Sequence, residues 1–98
     1  MVKEVMENHS KGVNWVAFNK TGQLLATASD DKSVKVWKLT DQKMWEMDSL
    51  RGHSHNVTCV IFHPNMEIII SCSEDKHMIV WDSARRVSIE NYKRETER

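Results

Sequence analysis

The hydrophobic positions fall into short runs, each broken by polar turn formers, and the same succession occurs twice. GVNWVAF (12–18) mixes β-branched and aromatic residues and predicts a strand, closed by the turn NKTG (19–22), whose glycine can take positive φ. QLLATAS (23–29) follows as a nearly continuous apolar strand. DDKS (30–33) reads as a tight polar turn and SVKVW (33–37) as a third strand, in which Val34 and Val36 alternate with Lys35 and predict half exposure. TDQK (40–43) turns the chain into MWEMDSL (44–50), the fourth strand. From residue 52 the succession restarts with TCVIF (58–62), the turn HPN (63–65), where Pro64 presets φ, and EIIISCS (67–73). EDKH (74–77), HMIVW (77–81), SARR (83–86) and VSIENY (87–92) complete it. Continuous apolarity at 23–29 and 67–73 predicts strands covered on both faces.

The restart has a fixed offset. His9 and His53, Val13 and Val57, Phe18 and Phe62, Ser29 and Ser73, Asp31 and Asp75, Lys32 and Lys76, Val36 and Val80, and Trp37 and Trp81 all lie 44 residues apart. Self-similarity at roughly 40–45 residues, with a histidine opening and a tryptophan closing each copy, predicts stacked four-stranded units. The boundaries follow: unit one at 9–51 and unit two at 52–92. Residues 1–8, with VKEVME inside them, are expected to be the outer strand of a preceding unit, and 93–98 the start of a following loop or tail.

Composition narrows the class. The 98 residues suffice for one small domain, which buries only about two thirds of its surface. Fourteen basic residues balance fourteen acidic ones without a long run of either sign, so the overall field points neither to nucleic acid nor to an anionic membrane. The tail YKRETER reads as a solvated face. No apolar run approaches 18 residues and no secretory pattern follows Met1, so the expected compartment is the cytosol, with any membrane association made through a partner. Cys59 and Cys72 sit within apolar runs, where reduced core thiols are expected in preference to a disulfide.

The repeated polar residues have a common physical explanation. A buried imidazole needs partners for both nitrogens and a buried carboxylate needs donors, and each unsatisfied group costs about 1–3 kcal/mol or more. Joined into one network they satisfy one another. The expected members are His9, Asp31, Thr27 and Trp37 in the first unit and His53, Asp75, Ser71 and Trp81 in the second, with Ser29 and Ser73 as alternative hydroxyls.

Rival chemistry has less behind it. His53, His55 and His63 with Asp75 could suggest a metal-dependent hydrolase, but a closed zinc site needs four ligands at recognisable spacing, and His53 already has a structural task. Asp30-Asp31 and Glu74-Asp75 could suggest paired acids, yet they recur in equivalent turns, which favours architecture over catalysis. With only Gly12, Gly22 and Gly52, no nucleophile elbow or phosphate-cradling loop is present, and no enzyme activity, cofactor or metal is expected. Trp15, on an inner strand, is expected in the core. Trp45, on an outer strand, is expected at the rim as packing or as a partner anchor, with Arg51 near it.

The GH, D and WD signals resemble the WD-repeat family, and the particular wording is similar to the amino-terminal propeller of coatomer alpha subunits. HSKGVNWVAF (9–18), DDKSVKVWK (30–38), KMWEMDSLRGH (43–53), NVTCVIFHP (56–64) and SEDKHMIVWD (73–82) carry that resemblance. Asn8 stands where the pattern has Gly and Lys38 where it has Asp. The resemblance implies an all-β fold of two four-stranded antiparallel blades of a WD-repeat β-propeller, an incomplete ring. It also implies a non-enzymatic scaffold in transport between Golgi and endoplasmic reticulum, cytoplasmic and peripheral on Golgi and vesicle membranes. Other coat subunits, and di-lysine cargo tails bound through a complete ring, are the implied partners. A WD-repeat adaptor of a ubiquitin ligase or a chromatin reader is the alternative. Because a ring takes about four to eight blades, two imply either a longer gene product or head-to-tail association of copies.

Overall fold

A computed structural model of the chain describes residues 9–93. The strand expected in residues 1–8 and the tail at 94–98 lie outside the described residues. Eight strands follow one another: β1 (Val13–Phe18), β2 (Leu24–Ser29), β3 (Ser33–Leu39), β4 (Met44–Arg51), β5 (Val57–Phe62), β6 (Ile68–Ser73), β7 (His77–Asp82) and β8 (Val87–Lys93). They form two antiparallel four-stranded sheets, β1-β2-β3-β4 and β5-β6-β7-β8, each strand hydrogen-bonded to its sequence neighbours. Connections this short permit only antiparallel hairpins.

The turns behave as their composition requires. Gly22 has φ 77°, and Lys32 and Lys76, at equivalent places in DDKS and EDKH, have φ 75° and 70°. The aspartate before each lysine compensates. Asp31 accepts the Ser33 amide at 3.0 Å, and Asp75 the His77 amide at 2.8 Å, so the carboxylate closes the turn that the left-handed lysine bends.

The two sheets pack face to face. From the first come Ala26, Ala28, Val34, Val36 and Leu50, and from the second Val57, Val60, Ile69, Ile79 and Trp81, all joined in one buried cluster. Small residues on the first face leave room for the large ones on the second. Gly52 belongs to this joint: a Cβ there would lie 3.2 Å from the Trp81 ring and 3.3 Å from the Ile79 methyl. Asn14 ties the inner ends by donating to the Val57 carbonyl at 2.9 Å, while Arg86 ties the outer side to Asp48 at 3.1 Å.

Three expectations change at this level. β2 is buried along nearly its whole length, whereas in β6 only Ile69 and Ser71 are buried, because one face of the second sheet packs on the first and the other faces solvent. Apolar continuity in 67–73 thus marks a strand able to be covered twice, not one that is. Lys35, expected half exposed, is buried with its neighbours Val34 and Val36; its ammonium donates to Glu46 at 3.1 Å and to Ser49 at 2.9 Å, which compensates the burial. Trp15 is 48% exposed rather than core. Past the irregularity after Val13, Trp15 pairs with Ala28 and so lies on the face that meets the second sheet, but β1 is an edge strand and the ring there stays half exposed.

Candidate functional site

In the first sheet, the segment before β1 brings His9 onto β2 and β3. One ring nitrogen, Nδ1, lies 2.9 Å from Asp31 Oδ2, and Nε2 lies 2.6 Å from Thr27 Oγ1. Trp37 on β3, paired with Leu25 and so diagonal to Thr27, donates its indole N–H to the same hydroxyl at 3.1 Å. The second sheet repeats the arrangement. His53 Nδ1 is 3.1 Å from Asp75 Oδ2, Nε2 is 2.8 Å from Ser71 Oγ, and Trp81 Nε1 donates to Ser71 at 2.8 Å.

Proton positions follow from the one group that can only donate. Because the indole supplies a hydrogen to the hydroxyl oxygen, the hydroxyl is free to give its own to histidine Nε2, leaving Nδ1–H to point at the carboxylate. Every member is then satisfied, and no buried side-chain nitrogen or oxygen among the described residues lacks a partner. Burial presses the His53 pKa below its usual value against the opposing pull of Asp75, which favours the neutral ring this relay needs. Burial alone would raise the Asp31 carboxyl. Hydrogen bonds from Ser33 and His9 outweigh it and hold the pKa at about 2. Asp75 is likewise held at about 2, burial being overcome by the amides of Ser54 and His77 and by His53.

The alternative hydroxyls have a different place. Ser29 Oγ donates to the Gly12 carbonyl at 2.9 Å and accepts the Asp31 amide at 3.0 Å; Ser73 does the same with Asn56 at 2.8 Å and the Asp75 amide at 3.1 Å. They fasten the loop that carries the histidine to the turn that carries the aspartate. Sequence reasoning missed Ser33, whose hydroxyl donates to Asp31 at 2.5 Å, and the Lys35–Glu46 and Arg86–Asp48 pairs. The Asp-Lys-X spelling of both turns was the available signal for the first. The others join residues that only the sheet registers bring together.

The remaining candidates do not converge. His63 Nδ1 caps its own turn, accepting the amides of Asn65 and Met66 at 3.0 and 3.1 Å. His55 is exposed, Asp30 binds the Asn14 amide at 2.6 Å, and no group of three or more His, Cys, Asp or Glu able to hold a metal occurs among the described residues. Trp45 is 40% exposed on β4, with the Lys43 ammonium 4.9 Å above its ring, and Arg51 is exposed at the end of that strand. Cys59 and Cys72 are free thiols.

Consecutive four-stranded antiparallel sheets, stacked face to face and each carrying a His–Asp–hydroxyl–Trp relay, define neighbouring blades of a β-propeller. The chain belongs to the WD domain, G-beta repeat family, which it matches over residues 2–38 and 45–82. It is 60% identical over all 98 residues to coatomer subunit alpha-2 of Oryza sativa subsp. japonica and 58% identical over the same length to coatomer subunit alpha of Saccharomyces cerevisiae. The chain spans 8% of the length of each of these relatives. Among solved structures, it superposes on that of U3-55K with a TM-score of 0.82 at 24% identity, over 91% of this chain and 27% of that one. The crystal structure of RRP9 WD40 repeats matches with a TM-score of 0.80 at 25% identity, covering 87% and 25% of the two chains. These likenesses agree with an all-strand, unclosed pair of blades.

Proposed function

We propose that this chain supplies two adjoining blades to a coatomer-alpha-like propeller and acts as a non-catalytic scaffold for protein partners in a vesicle coat. The observation that carries the reading is identity of 58–60% along the whole chain to coatomer alpha subunits of plants and yeast. The setting would be cytoplasmic, on Golgi and vesicle membranes, in transport between Golgi and endoplasmic reticulum. Its partners would be other coat subunits and, through a complete ring, cargo tails ending in a di-lysine signal.

Physical features support a scaffold role. The relays commit His9, Asp31, His53 and Asp75 to structural hydrogen bonds, and the sheets hold loops at fixed positions around a rigid face. Apolar side chains remain on both outer faces of the pair. Val16 and Phe18 are 48% and 53% exposed on the first blade, and Ile61 and Tyr92 46% and 51% on the second, as blades built for further neighbours would be.

Affinity purification of the tagged chain, or of the longer product if its transcript encodes one, followed by mass spectrometry of what co-purifies, tests this. Recovery of coatomer subunits supports the proposal. Ubiquitin-ligase components or histones, with no coatomer subunits, would overturn it in favour of a WD-repeat adaptor elsewhere.

A further inference from the structure

The β7–β8 turn and the strand after it read Arg85-Arg86-Val87-Ser88-Ile89. Ser88 is the one hydroxyl residue of the chain with an arginine both three and two places before it. Ser54 has only Arg51, three places back, and Thr96 stands between two glutamates. Two guanidinium groups, a serine and then an apolar side chain are the order that a serine kinase with an acidic substrate cleft and an apolar pocket beyond it would read.

The fold keeps this segment open. Ser88 pairs with Trp81 across β7 and β8, so its side chain leaves on the face that already meets the first blade, and Ser88 is exposed there. A further blade would stack on the opposite face and leave it so. Arg85 is exposed, and Val87 and Ile89 are 53% and 51% exposed. β8 is paired, among the described residues, only with β7, so it can lift locally into the extended form that a kinase cleft takes. One arginine is engaged. Arg86, with φ 61°, donates through Nε to Asp48 at 3.1 Å, and Asp48, opposite Val36 on β4, faces the same joint. A kinase and Asp48 therefore compete for one guanidinium.

From these observations we propose that Ser88 is the phosphate acceptor for an arginine-directed serine kinase, and that the Arg86–Asp48 tie between the blades restrains its recognition. The site requires stacked blades, not membership of a coat. Ser88 Oγ attacks the terminal phosphorus of the kinase's magnesium-bound ATP. The new O–P bond forms, the bond to the bridging oxygen breaks, ADP leaves, and a base of the kinase takes the hydroxyl proton. The phosphate puts a charge of about −1.5 to −2 on the side of the blade that faces Asp48.

The test incubates the full chain with magnesium-ATP and the catalytic subunit of cyclic-AMP-dependent kinase as the probe, and locates phosphate by peptide fragmentation. The expected result is a single phosphate on Ser88, lost in Ser88→Ala. Arg85→Gln, at an exposed side chain, should slow transfer about tenfold or more while leaving the urea midpoint unchanged. Asp48→Asn, which frees Arg86 but keeps the oxygen that accepts the Ser49 amide, should speed transfer about two- to fivefold. In an Arg86→Gln background the same change at Asp48 should have no effect, which separates release of the arginine from general loosening of the fold. No phosphate on Ser88, earlier phosphate on Ser54 or Thr96, an unchanged rate for Arg85→Gln, no gain from Asp48→Asn, or a gain that persists without Arg86 would each overturn the proposal.

Discussion

Thr27 and Ser71 each hold two aromatic rings with one oxygen, accepting from an indole and facing an imidazole nitrogen. Ser71→Ala removes partners from both Trp81 Nε1 and His53 Nε2 in a site where Ser71 is fully buried. The expected loss is about 2–4 kcal/mol in urea denaturation, while Ser71→Thr, which keeps the oxygen, should lose less than half of that. Proton linkage gives a second expectation. The folded His53 pKa lies below the ordinary 6.5, so its contribution is complete above that pH and declines as pH falls below it, because the unfolded ring takes the proton more readily. Asp31 and Asp75 fall from 3.8 to about 2 on folding, so theirs is complete above 3.8 and is lost as pH falls toward 2. Denaturation midpoints measured from pH 7 to 2 should therefore decline in two acid stages, and Asp75→Asn should flatten the second.

Among the elements, burial differs more than composition does. β2 has five buried positions, whereas all seven residues of β8 are exposed and, among the described residues, the strand is paired only with β7. Backbone hydrogen bonds at such an edge open locally at far lower free energy than those of a covered strand. Amide hydrogen exchange should be fastest in Val87–Lys93 among the eight strands and slowest in Leu24–Ser29. Equal protection in the two would mean that β8 is covered in solution. Lys35 shows the same dependence on neighbours: its alternation with Val34 and Val36 is legible in the chain, but its burial depends on Glu46 and Ser49 of β4.

For the whole molecule, the blade joint is the deciding structure, since the principal buried cluster draws equally on both sheets. Gly52→Ala would press a methyl group against Trp81 and Ile79, where contacts of 3.2 and 3.3 Å require those side chains to give by a few tenths of an ångström. Overpacking of this kind costs about 1–3 kcal/mol, and because the cluster is shared the loss should appear in both blades together. Tryptophan fluorescence and far-ultraviolet circular dichroism should give coincident unfolding curves, with and without the substitution. Separate transitions would mean that the blades are stable independently of their joint.

The eight strands, their turns and the 44-residue repeat were legible in the sequence because they rest on local terms: β-branched runs, turn residues and an exact spacing of His, Asp and Trp. The relay's members were legible for the same reason, as each recurs in its equivalent place. Thr27 and Ser71 were the expected hydroxyls, with Ser29 and Ser73 on the same strand faces left as alternatives; the structure puts the first two on the rings and the other two on the Gly12 and Asn56 carbonyls. Tertiary structure alone decided that Lys35 is buried, that Trp15 is exposed, that Gly52 lies close against Trp81 and Ile79 and that Cys59 opposes Cys72. Each of these depends on sheet register and on which face meets the other blade, and both are set by packing between residues distant in the chain.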